Sequence, residues 1–133
     1  MTPEAACFLV KARDRLLKAQ EMLENWPDEA GRASYLAAFH AAQALIFEST
    51  GRVVRPRAEV QAQFGRLVRK NSERDAGLPL FLGRAYNLKV IADDAAEPGM
   101  DIAPDHAALF VEQAGRIVEF VAWSLTALPP TGA

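Results

Sequence analysis

The sequence predicts an all-α protein, a bundle of four to five antiparallel helices. Three observations support this prediction. Apolar residues recur every three or four positions, the spacing of one face of a helix, through most of the 133-residue chain. Proline and glycine interrupt this pattern at intervals of helical length. No segment shows the alternation of apolar and polar residues that is typical of a strand.

The first two helices follow each other closely. Thr2 and Pro3 form a typical helix start, a capping residue followed by proline in the first turn. An apolar stripe then continues until residues 25–27 interrupt it. We expect Asp28 to cap the second helix, which continues to Gly51, a glycine suited to a helix C-terminus.

Three further helices complete the predicted bundle. Pro56 begins the third helix, and residues 71–72 interrupt it. The fourth extends from about Asp75 to Ala96, where apolar residues again recur at helical spacing. The fifth begins within residues 101–104 and carries the most regular apolar stripe of the chain.

Length and composition predict one domain over residues 1–128 and a short flexible tail over residues 129–133. The net charge of −2 excludes a chain that is basic overall, so nucleic-acid binding would need a local patch. The single cysteine, Cys7, lies between Ala6 and Phe8 and is expected to be buried. One cysteine, no signal segment and no run of about 20 apolar residues together predict a cytoplasmic protein that does not span a membrane.

The second helix is apolar around most of its circumference. Between Tyr35 and Phe47 its polar side chains are His40 and Gln43, which share one stripe, so each needs a hydrogen-bond partner if it is buried. A helix without a solvent face needs a partner surface on every side. In a chain of this length a second copy could supply one of these surfaces, so we expect a homodimer.

The sequence contains no motif for a metal or a cofactor. The two histidines, His40 and His106, lie on different predicted helices, and no Glu-x-x-His pair occurs, so we expect no metal site. Phosphate loops, dinucleotide glycine motifs and hydrolase serine motifs are also missing, so no cofactor is expected. His106, beside Asp105 in the first turn of the fifth helix, is expected to be exposed.

Charge is unevenly distributed along the chain. Residues 52–74 hold seven basic and two acidic side chains, whereas residues 75–119 hold eight acidic and three basic ones. Arg52, Arg55 and Arg57 crowd the connection before the third helix, where guanidinium groups could bind phosphates. In the alternative interpretation, the basic and acidic segments pair with each other, within one chain or across a dimer.

The segment from Ser34 to Leu45, SYLAAFHAAQAL, resembles the AYYAAFHAARALL helix of small bacterial HEPN-domain proteins (higher eukaryotes and prokaryotes nucleotide-binding). The likeness continues through Gly51 and the third helix to LGRAYNLKVIAD at residues 82–93, and covers roughly residues 5–125. The resemblance implies an antiparallel helical bundle that dimerises and is often encoded beside a minimal nucleotidyltransferase in toxin–antitoxin pairs. Active relatives are metal-independent ribonucleases with an Arg-x4–6-His motif on the fourth helix.

The chain departs from the family at this motif. Residues 89–94 are KVIADD where relatives commonly have Arg-x-x-Ala-Asp-Tyr, and no histidine follows Arg84 or Lys89 at the required distance. Metal-free RNA cleavage needs a group that takes the proton of the 2′-hydroxyl, a role that suits histidine. The remaining catalytic candidates are Lys89, Asp93 and His40, and none of them completes the motif.

The sequence therefore favours a non-catalytic or degenerate HEPN-like protein, a dimeric module that pairs with a nucleotidyltransferase or binds RNA or nucleotide. The residues expected to bind are Arg52, Arg55, Arg57, Arg84 and Lys89. The alternative is a metal-independent ribonuclease toxin with an altered active site. A third hypothesis is a structural dimer whose charges only solvate it.

Overall fold

The computed structural model describes residues 1–71, 77–93 and 102–127. These residues form five α-helices and contain no strand, which confirms the predicted all-α class. The helices are α1 (Pro3–Met22), α2 (Pro27–Thr50), α3 (Arg57–Asn71), α4 (Leu78–Asp93) and α5 (Pro104–Ala127). None of the described helices combines the length and the apolar character that crossing a membrane requires.

The start of α1 and the end of α2 agree with the prediction. Thr2 Oγ1 accepts a hydrogen bond from the Ala5 N–H at 3.2 Å, as expected of an N-cap residue. Gly51 ends α2, and its N–H donates to the Phe47 carbonyl at 2.7 Å. Its φ of 74° lies in the left-handed region that favours glycine.

The start of α2 differs from the prediction. Trp26 occupies the N-cap position and makes no side-chain capping bond, and Asp28 already lies in the first turn. Asp28 Oδ1 instead accepts a hydrogen bond from the Ile102 N–H at 2.8 Å. The prediction that Asp28 caps α2 is wrong because its carboxylate binds the segment before α5 and joins the beginnings of the two helices.

The start of α3 agrees with the prediction, whereas Gly77, inside the predicted fourth helix, lies in a turn before α4. The Pro56 carbonyl accepts a hydrogen bond from the Val60 N–H at 2.9 Å, so α3 begins directly after this proline. The predicted start of the fourth helix at Asp75 and its predicted end at Ala96 lie outside the described residues, as does the predicted tail over residues 129–133.

The central helix of the bundle is α2. It packs against each of the other four helices, most extensively against α1 and then α5. Alanines such as Ala37, Ala38 and Ala41 have no exposed surface, and their small size lets the neighbouring helices approach closely. The chain's own helices thus cover most of α2, while Leu36, Phe39, His40 and Phe47 stay partly exposed on one side of it. The homodimer stays a prediction.

α1 and α2 are antiparallel neighbours. The Thr2 N–H and Oγ1–H both donate to Glu48 Oε2, at 2.8 and 2.9 Å, which joins the beginning of α1 to the end of α2. Each helix advances about 1.5 Å per residue. A residue nine positions after Thr2 therefore lies level with one nine positions before Glu48, which places Lys11 beside Phe39.

The core face of α1 excludes Cys7. The buried residues of this helix include Ala5 and Leu9, whereas Cys7 is exposed. Cys7 is two positions from each of them and so points about 200° away around the helix. The prediction of a buried Cys7 is wrong because its apolar sequence neighbours do not share its direction.

Candidate functional site

A surface groove of about 430 Å³ lies between α3 and α4. A Cβ atom at Gly83 of α4 would lie 3.1 Å from Gln61 Nε2 of α3, tighter than normal contact, so the two helices approach closely beside the groove. The helices contribute polar and small residues to its walls. Those that matter for its chemistry and shape are Arg57, Gln61, Gly65, Arg69, Pro79 and Leu80.

Arg57 is held in place by an aromatic ring. Its Cζ atom lies 3.9 Å from the centroid of the Tyr86 ring, a cation–π contact. Tyr86 packs against Tyr35, and Tyr35 against Phe39, with ring centroids 5.7 Å apart in both pairs. Arg57 is nevertheless exposed. An anion can therefore bind this guanidinium with less loss of side-chain freedom than at an unsupported arginine.

Tyr35 supports this row of rings as a neutral group. Burial raises the pKa of Tyr35; the charge of Arg57 opposes this change, and Tyr86 adds to it. The net rise keeps the phenol protonated at neutral pH. Tyr35 is therefore a packing residue beneath Arg57 and Tyr86, and carries no charge that would repel an anion.

The connection between α2 and α3 presents two further arginines on a fixed backbone. Arg52 and Arg55 are exposed. Between them lies Val54, which is buried and whose carbonyl accepts a hydrogen bond from Gln43 Nε2 at 2.8 Å. The backbone that carries Arg52 and Arg55 is thus anchored to α2, while both guanidinium groups face solvent.

The exposed arginines of this region have no carboxylate partner in the part of the chain that the structure describes. Glu59 binds Gln63 at 3.0 Å, and Glu112 pairs with Arg116 of its own helix at 3.0 Å. The alternative in which the basic and acidic segments pair with each other finds no support among the described residues. The arginines without such a partner include Arg52, Arg55, Arg57, Arg69 and Arg84.

Two of the predicted binding residues lie on the helices that form the groove. Arg57 lines the groove, and Arg84 is exposed on α4 one turn after Leu80, which also lines it. Lys89 and Asp93 lie on the last turns of α4, and their side chains are outside the described part of the chain.

Sequence analysis missed Gln61 and Arg69 as groove residues. Together with Arg57 they follow one another on α3 at multiples of four residues, a spacing that indicates a shared side of a helix. The sequence therefore contained a signal for their shared face. It contained none for the position of α4 beside that face.

A chain of two hydrogen bonds orients His40. His40 is half-buried, and its Nδ1 lies 2.9 Å from Gln43 Oε1. Because Gln43 Nε2 donates to the Val54 carbonyl, the amide oxygen faces the ring and Nδ1 is the donor. His40 and Gln43 therefore satisfy each other, as the sequence required. In the neutral imidazole, Nε2 is left as the acceptor.

His40 is neutral at pH 7. Burial lowers its pKa below the usual value of 6.5, and the positive charges of Lys11 and Arg15 lower it further. The hydrogen bond to Gln43 acts in the opposite direction without reversing the shift. His106, in contrast, is exposed in the first turn of α5, as predicted.

Fold and surface together define an all-α bundle with an arginine-lined groove and an oriented histidine. Comparison of the chain with protein-family models and with curated proteins found no match. The function must therefore be argued from the surfaces described above.

Proposed function

We propose that the protein is an HEPN-like helical module of the non-catalytic or degenerate kind, which binds RNA or nucleotide phosphates at the α3–α4 groove. The observation that carries this proposal is the set of exposed guanidinium groups around the groove that lack carboxylate partners among the described residues. Arg57 and Arg69 lie in the groove, and Arg84 lies beside it. The resemblance of residues 34–45 to the HEPN helix supports the class of protein.

The spacing of the arginines favours an extended ligand. Arg57 and Arg69 are twelve residues apart on α3, roughly 18 Å between their Cα atoms. Guanidinium groups bind phosphate oxygens through paired N–H···O bonds. A polynucleotide or a nucleoside triphosphate offers several phosphates along one line and can therefore bind both arginines at once.

The described lining of the groove contains no group that titrates near neutral pH. Its polar side chains are Arg57, Gln61 and Arg69, and arginine stays protonated. Metal-free RNA cleavage needs a base that accepts the 2′-hydroxyl proton. The described groove thus favours binding over the alternative of a ribonuclease with an altered active site.

We further propose that the module acts as a homodimer and with a nucleotidyltransferase as its partner protein. The resemblance supports both partners. Among the described residues, exposed apolar side chains for such contacts include Val10 and Leu17 of α1 and Trp123 of α5. Light scattering after size-exclusion chromatography tests the dimer: a mass of about 29 kDa, twice the 14.5 kDa of one chain, supports it, and the mass of one chain contradicts it.

Binding at the groove can be tested with Arg57→Ala/Arg69→Ala. The probe is a fluorescently labelled single-stranded RNA titrated by anisotropy at several salt concentrations, with ATP as a competitor. We expect the double variant to bind at least about tenfold more weakly, because each charge-assisted bond contributes about 1.5–3 kcal/mol. The slope of log K against log salt should fall by about 0.7 for each phosphate contact that is lost.

The matched control is Arg13→Ala/Arg116→Ala, which removes the same charge from exposed positions on α1 and α5. It should leave the salt slope near that of the unchanged protein. Equal RNA affinity and equal salt dependence in the groove variant and in the unchanged protein would contradict the proposal.

A further inference from the structure

The second ring nitrogen of His40, Nε2, is not fully buried. Every buried side-chain nitrogen or oxygen among the described residues has a hydrogen-bond partner. The hydrogen bond of His40 is made through Nδ1 to Gln43. Since Nε2 has no partner among the described residues, it is not buried. It is an acceptor of fixed orientation that is open to a ligand.

Two cations of α1 flank this acceptor. Lys11 and Arg15 are one turn apart on α1 and so share a face of the helix. The antiparallel register set by Thr2 and Glu48 places Lys11 level with residues 39–40 of α2. Both cations lie close enough to the imidazole to act on its charge.

Neither cation is neutralised by a carboxylate within the described residues. The ion pair along this helix joins Lys18 to Asp14 at 3.1 Å and leaves Lys11 and Arg15 out. Lys11 Nζ instead lies 5.8 Å from the centroid of the Phe8 ring, a cation–π contact within α1.

An acceptor beside two cations selects a particular ligand chemistry. A sulfate ion offers acceptors only, so it suits Lys11 and Arg15 but meets the lone pair of His40 Nε2 unfavourably. A phosphate ester with a hydroxyl group on the neighbouring carbon suits all three groups. Its oxyanion binds the cations, and its hydroxyl donates to Nε2.

We propose that His40, Lys11 and Arg15 form a second anion site, on the α1–α2 face, that takes a phosphate ester carrying a neighbouring hydroxyl group, as a ribonucleotide does. The site shares no residue with the α3–α4 groove. It therefore stands or falls separately from the proposed function.

Nuclear magnetic resonance of the imidazole nitrogens tests the site directly, because the chain has two histidines and His106 serves as an internal reference. The ¹⁵N-labelled protein is titrated with adenosine 3′-monophosphate, 2′-deoxyadenosine 3′-monophosphate and sulfate at a pH well above 6.5. We expect a saturable shift of the His40 nitrogens with the ribonucleotide. Binding of the other two probes should be about tenfold weaker or more, since each lacks one hydrogen bond.

Two sets of variants complete the test. Lys11→Ala and Arg15→Ala should each weaken ribonucleotide binding at His40 by about threefold to tenfold, whereas Arg13→Ala, the matched control on α1, should leave it unchanged. Arg57→Ala/Arg69→Ala should also leave the His40 response intact, which separates this site from the groove. The proposal is overturned if His40 gives no saturable response, if the deoxyribonucleotide binds as tightly, or if both α1 variants bind normally.

Discussion

The α1–α2 face and the α3–α4 groove are both cationic, but they hold their polar groups differently. On the α1–α2 face, His40 is oriented by Gln43, which is itself fixed by the Val54 carbonyl. In the groove, Arg57 rests on the Tyr86 ring and keeps its hydrogen-bond donors for solvent. In the two proposals, the first region would recognise a ligand by the direction of a hydrogen bond and the second by charge.

This difference predicts where substitutions act. A change that breaks the hydrogen bonds of the α1–α2 side should lower the stability of the protein, because buried partners lose their bonds. A change in the groove should leave stability nearly unaltered and weaken ligand binding. The following experiments test that contrast.

The largest effect is expected for Gln43→Met. The change removes two hydrogen bonds and leaves the Val54 carbonyl and His40 Nδ1 without their partner. The free energy of unfolding in urea should fall by about 2–3 kcal/mol. The pKa of His40, followed by NMR, should fall further, since the lost bond raises it in the native protein.

The control for this change is Gln20→Met, at an exposed position of α1, which should alter stability by less than about 0.5 kcal/mol. Equal stability of the Gln43 and Gln20 variants would show that the hydrogen-bond chain does not help to hold the α2–α3 connection against α2.

Thr2→Ala should have the next largest effect. The variant loses the cap of α1 and a hydrogen bond to Glu48. We expect the free energy of unfolding to fall by about 1–2 kcal/mol in urea denaturation. Thr126→Ala, which removes an exposed hydroxyl near the end of α5, should cost clearly less. A larger loss of stability in Thr126→Ala than in Thr2→Ala would contradict the importance of the bonds that join the beginning of α1 to the end of α2.

Acidification should destabilise the α1–α2 side in two steps. The pKa of His40 is lowered in the folded protein, so the unfolded chain binds the proton more readily, and stability declines as the pH falls below 6.5. Burial acts to raise the pKa of Glu48, but the hydrogen bonds from Thr2 outweigh it, so a second decline follows below pH 4.5.

Thermal unfolding across this pH range separates the two steps. His40→Gln should remove the first decline, and Glu48→Gln the second, while His106→Asn should retain both. A first decline that persists in His40→Gln would assign it to another group.

The smallest effect on stability is expected for Arg69→Ala. Arg69 is exposed and has no ion pair within the described residues. The free energy of unfolding should stay within about 0.5 kcal/mol, while RNA affinity declines. A loss of stability larger than that of Thr2→Ala would show that Arg69 stabilises the fold, which contradicts the contrast between the two regions.

The helices were predictable where local chemistry decides the chain's path. Proline and glycine mark the beginning of α2 and its end at Gly51, because the constraints they impose on the backbone act within a few residues. The prediction for Asp28 was wrong because its carboxylate could accept a hydrogen bond either from the first turn of α2 or from the Ile102 N–H. Its preferred partner, the Ile102 N–H, lies 74 residues away in the sequence.

The candidate site was predictable only in part for the same reason. The charge pattern indicated Arg57, the resemblance of residues 82–93 indicated Arg84, and the apolar surroundings of His40 and Gln43 indicated that they need hydrogen-bond partners. The groove depends on the distance between α3 and α4, which Gly83 and Gln61 set by close approach. The flanking of His40 by α1 depends on the register of two helices. Neither relation is local in the sequence.

The position of α2 has a consequence for how the protein unfolds. Among the described residues, α1 makes no contact with α3 or α4, and α3 makes none with α5, whereas α2 contacts all four. Loss of α2 would therefore leave the other helices only the smaller α1–α5, α4–α5 and α3–α4 contacts, so the bundle should behave as one cooperative unit around α2. The amide protons of α2 would then exchange only when the whole bundle opens, and α2 would be the last element to lose its protection.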